Sequence, residues 1–161
     1  MKDEDKVVES FDQAMASLRH AGEFDRLQLM DRLGALGVSQ TQRRIEREKT
    51  SPEGAAWKKT RDGRGALFAT GSHLYDSIDH KSTAATATWG SGWIGARVHQ
   101  LGATIVPVKA RVLHFKVGGK SVFAKKVVIP ARPYVGLSGA NALEMERVAV
   151  RFLALDKGGA A

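Results

Sequence analysis

Chemistry in this chain would have to come from five histidines, a glycine-rich run and a surplus of lysines and arginines, because cysteine is absent. Without thiols there is no disulfide framework, no thiolate zinc site and no Cys nucleophile. The histidines are His20, His73, His80, His99 and His114. Only His73 and His80 lie close in sequence, with Asp76 and Asp79 between them. On a helix, His73 and Asp76 would share a face at i, i+3, and Asp76 and His80 at i, i+4. A metal site needs three or four converging ligands, and plain surface polarity explains the same spacing. A Ser–His–Asp triad is compatible with composition. However, there is no G-x-S-x-G elbow, and each serine falls in a turn, a cap or an amphipathic stretch. Gly90-Ser91-Gly92-Trp93-Ile94-Gly95 matches G-x-G-x-x-G after a predicted strand. A dinucleotide fold also wants an acid about 20 residues further on. None is there, and a Gly-Gly hairpin replaces the expected βαβ unit.

That missing acid belongs to a longer gap. Between Asp79 and Glu144 the chain has no carboxylate side chain and nine Lys+Arg. The gap excludes paired-carboxylate acid–base chemistry and an all-oxygen cation site from the middle of the chain. Overall, 25 Lys+Arg against 17 Asp+Glu give a net charge of +8, unevenly spread over 161 residues. Residues 1–36 carry five basic and eight acidic side chains, whereas residues 108–137 carry seven and none. A segment that positive fits an acidic or phosphate-rich partner. Trp57, Trp89, Trp93, Phe115, Phe123 and Tyr134 interleave with basic residues. They read either as a stacking platform for single strands or as core and interface anchors. No catalytic, metal or cofactor site is expected. No apolar stretch approaches membrane-spanning length, so a soluble cytoplasmic product with no membrane partner is expected.

The elements that position these residues follow from periodicity. Val7, Val8, Phe11, Met15 and Leu18 predict a helix over 5–20, and Leu27, Met30, Leu33 and Leu36 a second one that Gly37 ends. Ser39-x-x-Gln42 reads as a capping box for a third helix to Lys49. The charges of that helix (Arg43, Arg44, Glu46, Arg47, Glu48) read as a solvated face. A short helix is expected over 72–78, a strand over 83–89 and a short helix over 94–101. Strands 110–117 and 121–129 flank Gly118-Gly119-Lys120. A two-residue turn there pairs Val117 with Lys120, Phe115 with Val122 and Leu113 with Ala124 on a buried face. The same register sets Arg111 opposite Lys126. Ser138 caps a last helix with Leu143, Val148, Phe152 and Leu155 inward. The expected fold class is α+β: N-terminal helices, a small mainly antiparallel sheet with a long β-hairpin, and a C-terminal helix. The domain reading is an N-terminal helical segment over 1–36, an α+β domain over 37–157 and a disordered tail over 158–161.

Four separated motifs complete the reading. They are Ser51-Pro52-x-Gly54-x-x-Trp57, Thr70-Gly71-x-x-Leu74-x-x-Ser77-Ile78, His99-Gln100-x-Gly102 and Ile129-Pro130-Ala131-Arg132-Pro133-Tyr134-x-Gly136-Leu137-Ser138. In this order they resemble the phage virion morphogenesis family, the Mu-like tail completion proteins, over about residues 35–155. Gly95-Ala96 stands where the family pattern has a Tyr-Ala step. The resemblance implies a structural protein of the head–tail junction or head-proximal tail end, without catalysis. It implies a ring of six copies that meets other head–tail connector and tail proteins. It places the protein in the virion tail or neck, and in the host bacterial cytoplasm during assembly, in a tailed phage or prophage-derived particle.

Two surfaces are candidates for assembly. Pro130 and Pro133 stiffen the chain around Arg132, so Pro130, Arg132, Pro133 and Tyr134 form a candidate subunit interface. There Arg132 would pair with an acid of its own or the next subunit. Alternatively, the segment only anchors the last helix. Lys109, Arg111, Lys116, Lys120, Lys125 and Lys126 form a candidate basic surface. It would face an acidic neighbour or line a channel for genomic DNA through non-specific backbone contacts. The alternative function is a small basic DNA-binding protein with no virion role.

Overall fold

The computed structural model describes residues 24–60, 66–67, 73–117 and 119–158, the last four by backbone alone. The helix expected over 5–20, Thr70-Gly71, Gly118 and the last three residues lie outside the described part. The chain divides into two compact units. The first comprises Met1–Thr41, Ile78–Gly90 and Leu137–Ala161, the second Gln42–Ser77 and Ser91–Gly136.

The first unit is built on helices α1 (Arg26–Arg43) and α4 (Gly139–Gly158). Asp25 starts α1, its carboxylate accepting the Gln28 N–H at 2.9 Å. The helix then runs through Gly37 without a break. The expected stop and the Ser39 capping box are therefore absent, and the Ser39 hydroxyl donates to the Ala35 carbonyl within the helix. Gly37 is there for room rather than for termination. A Cβ at this position would stand 2.5 Å from the Trp89 ring. Trp89 comes from β2 (Ala87–Ser91), which pairs with β1 (Ile78–Ser82). The strand expected over 83–89 is displaced because Thr83 makes a turn, its hydroxyl accepting the Ala85 and Thr86 N–H groups.

Leu29, Met30 and Leu33 of α1 pack with Met145, Ala149, Phe152 and Leu153 of α4, and Trp89 and Val148 lie against this core. Leu27 and Leu143, both expected inside, are exposed. Their stripes are rotated by a residue or two because Leu29 and Met145 fill the interior instead. The helices run antiparallel: Gln40 donates to the Asn141 carbonyl and to Glu144, while the Arg32 guanidinium sits 4.9 Å from the Phe152 ring centre. Ser138 caps α4 as expected, accepting the Asn141 N–H at 3.1 Å.

The second unit opens with a π-helical turn, Arg44–Glu48, closed by Lys49 in the left-handed conformation. Here the solvated-face reading fails at one position. Arg43, Glu46, Arg47 and Glu48 lie outward or partly outward, but the Arg44 side chain is 1% exposed. Helix α2 (His73–Asp76) and helix α3 (Ala96–Leu101) are short. Strand β3 (Ala103–Ile105) pairs antiparallel with β6 (Val127–Ile129), and β4 (Leu113–Val117) with β5 (Lys120–Ala124). The β4–β5 register has Val117 opposite Lys120, Phe115 opposite Val122 and Leu113 opposite Ala124, as the turn predicts. The ladder stops there. Arg111 and Lys126 are never paired, because β6 leaves β4 to join β3. The result is an α+β chain whose strands form small two-stranded antiparallel pairs.

Candidate functional site

In the second unit, two of the four motifs converge on a third, the backbone of residues 129–136. The Ser51 turn is held by two bonds to Ala55. The Ser51 N–H donates to the Ala55 carbonyl, and its hydroxyl accepts the Ala55 N–H. This turn lays Pro52 against Gly136 and leads to Trp57, whose indole N–H donates to the Pro133 carbonyl at 3.0 Å. From α3, the Gln100 side chain reads the backbone like a strand partner. Its Oε1 accepts the Tyr134 and Val135 N–H groups at 3.0 and 3.1 Å, and its Nε2 donates to the Val135 carbonyl at 3.0 Å. The His99 carbonyl accepts the Arg132 N–H. Gly102 has φ +73°, and a Cβ there would meet the Ala131 nitrogen at 2.7 Å. Only glycine meets both demands.

Two buried arginines complete this hub. Arg44 Nη1 donates to the Tyr134 and Gly136 carbonyls, both at 2.9 Å. Arg132 donates from Nε and Nη2 to the Lys58 carbonyl at 3.1 and 3.0 Å. Its guanidinium is thus held by a backbone oxygen of its own chain. Tyr134 is 2% exposed, with its hydroxyl near the Ala96 carbonyl at 3.4 Å. Pro130 and Pro133 are half-buried. Burial lowers the pKa of Arg44 and of Arg132, and raises that of Tyr134. The arginines still stay charged at any ordinary pH. His99 is lowered by burial first and by the Arg132 charge second, so its ring is neutral at pH 7. That ring stacks on Trp93 with centroids 5.6 Å apart. Trp93 also covers Gly95, where a Cβ would stand 2.3 Å from its ring.

The basic surface is a separate feature. Lys109, Arg111, Lys116, Lys120, Lys125 and Lys126 are all exposed. None forms an ion pair with a described residue. The hairpin face expected to be buried is only half-covered: Leu113, Phe115, Val122 and Ala124 are intermediate and Val117 is exposed. On the other face Phe123 is 66% exposed and stacks on His114, centroids 4.6 Å apart.

His80 sits on β1 and bonds to Asp31 at 3.0 Å, away from the helical spacing that linked it to Asp76. Among the described residues, no group of three or more His, Asp and Glu could hold a metal ion. Gly92 donates its N–H to the Ser77 carbonyl, and the short α3 leads into the antiparallel β3, so Gly90 and Ser91 end β2 and Gly92–Gly95 form a loop. Among the described residues no helix is long and apolar enough to cross a membrane. Arg44 was missed in the sequence because its neighbours look solvated. A π-turn that rotates one arginine inward leaves no mark in a charge pattern.

A hub of backbone groups held by buried side chains, and an exposed basic and apolar hairpin, both belong to the second unit. The chain belongs to the phage virion morphogenesis family, whose model matches residues 6–154. Its role is that of a phage structural protein. No curated protein and no solved structure matched the chain.

Proposed function

We propose that the protein acts at the head–tail junction or the head-proximal end of the tail, as a ring of six copies. There it would bind other connector and tail proteins. The observation that carries this reading is the β4–β5 hairpin. It holds an apolar face that is half-covered, an exposed phenylalanine and a set of cations with no ion pair to a described residue. An isolated two-stranded hairpin with these features is stabilised by covering it. The hub supports the same reading. Pro130, Arg132, Pro133 and Tyr134 brace the backbone from which the ring contact would be presented.

The exposed cations also favour a second reading of the same surface, as the lining of a channel for DNA. Both are tested on the full chain by light scattering with Lys125→Glu and Lys126→Glu together. Loss of a six-copy species in the variant supports a subunit contact. Intact rings with lost retention of duplex DNA in low salt support the channel. A monomer at every concentration, in the unsubstituted protein, would overturn the ring.

A further inference from the structure

The chemistry of the hairpin narrows what can cover it. Val108 is 93% exposed and Val128 63%, close in sequence to the hairpin that carries Phe123. Residues 108–137 hold seven Lys+Arg and no carboxylate. Such a surface cannot close on its own copy, because a two-fold contact would set like charge on like charge. The partner must therefore offer apolar side chains and carboxylates together. This chain has one such segment. Residues 3–15 hold five acids against one lysine. Val7, Val8, Phe11 and Met15 lie among them at the spacing of one helical face.

We infer that the hairpin of one copy receives the acidic segment 3–15 of a second copy. Its apolar residues cover the hairpin face that carries Phe123, and its carboxylates meet Lys116 on that face and Lys125 and Lys126 beyond it. The contact is head-to-tail, so each copy donates one segment and accepts another. This inference rests on the proposed function in one respect only, that copies associate.

The test uses full-length variants, E4K/D5K and K125E/K126E, with circular dichroism as the check on folding. Each alone should raise the concentration needed for assembly by about tenfold or more. The two reversals combined in one chain should restore assembly. So should mixing the two separate variants, because each then offers the other a complementary contact. If E4K/D5K assembles like the unsubstituted protein, segment 3–15 is not the occupant and the inference fails while the ring stands. If the combined chain recovers but the mixture does not, the segment docks on its own hairpin and the inference fails. If K125E/K126E assembles normally and loses only DNA retention, the occupant is nucleic acid and the inference fails. A protein that never associates overturns this inference together with the ring.

Discussion

Replacing Gln100 by alanine should destabilise the second unit far more than its half-buried position suggests. The side chain makes three hydrogen bonds of 3.0–3.1 Å to the backbone of Tyr134 and Val135. Gln100→Ala removes all three and leaves two N–H groups and one carbonyl without that partner. At about 1 kcal/mol net for each bond, the loss is about 3 kcal/mol, and more where water cannot reach the freed groups. A typical small domain has about 5–15 kcal/mol in total. In urea, with a slope of about 1.5 kcal/mol per molar, the midpoint should fall by about 2 M. Tryptophan fluorescence is the readout, since Trp57 and Trp93 both belong to the second unit. Gln100→Glu sharpens the test. It keeps both acceptor contacts but sets an oxygen against the Val135 carbonyl, so it should cost about 1–2 kcal/mol at neutral pH. Part of that should return at acid pH, where a protonated carboxyl can donate. A midpoint for Gln100→Ala within about 0.3 M of the unsubstituted protein would refute the hub as a source of stability, since surface changes fall in that range.

Three further outcomes are expected. Gly37→Ala should cost about 1–3 kcal/mol by overpacking against Trp89, read as a lower thermal midpoint, and Trp89→Leu should relieve it. Arg44→Met should cost about 3–5 kcal/mol, because the Tyr134 and Gly136 carbonyls lose a charged donor; urea titration measures it, and Arg44→Lys should recover only part. The His99 pKa is lowered in the fold, so the unfolded chain binds its proton first. Stability should therefore be full above the ordinary value of 6.5 and fall as pH drops through and below it, levelling off beneath the folded value. In His99→Phe, denaturation followed from pH 8 to 5 should show a smaller decline.

The hairpin was readable from sequence because turn geometry and pleat leave one register for Gly118-Gly119, and Val117–Lys120 through Leu113–Ala124 follow from it. The cap at Ser138 was readable for a similar reason: its chemistry is local. What was not readable depended on distant partners. Gly37 looks like a helix stop until Trp89 arrives over it. Arg44 looks solvated until the carbonyls of Tyr134 and Gly136, some ninety residues away in sequence, accept its hydrogen bonds. Arg132 donates to a backbone group within its own chain. The stiff Pro-flanked segment aims it at the Lys58 carbonyl, a backbone group that no pattern of side-chain types reveals. The motifs were visible as spaced residues. That two of them brace the backbone of a third became visible only in three dimensions.

That this phage structural protein works as a ring built through its basic hairpin is what we propose. It is tested most directly by the mass of the full-length protein in solution, measured by light scattering across concentration, with electron micrographs of the same sample. The account predicts a species of six times the chain mass, ring-shaped in projection, which K125E/K126E disperses to monomers. A monomer at every concentration, or rings indifferent to that double reversal, would contradict it.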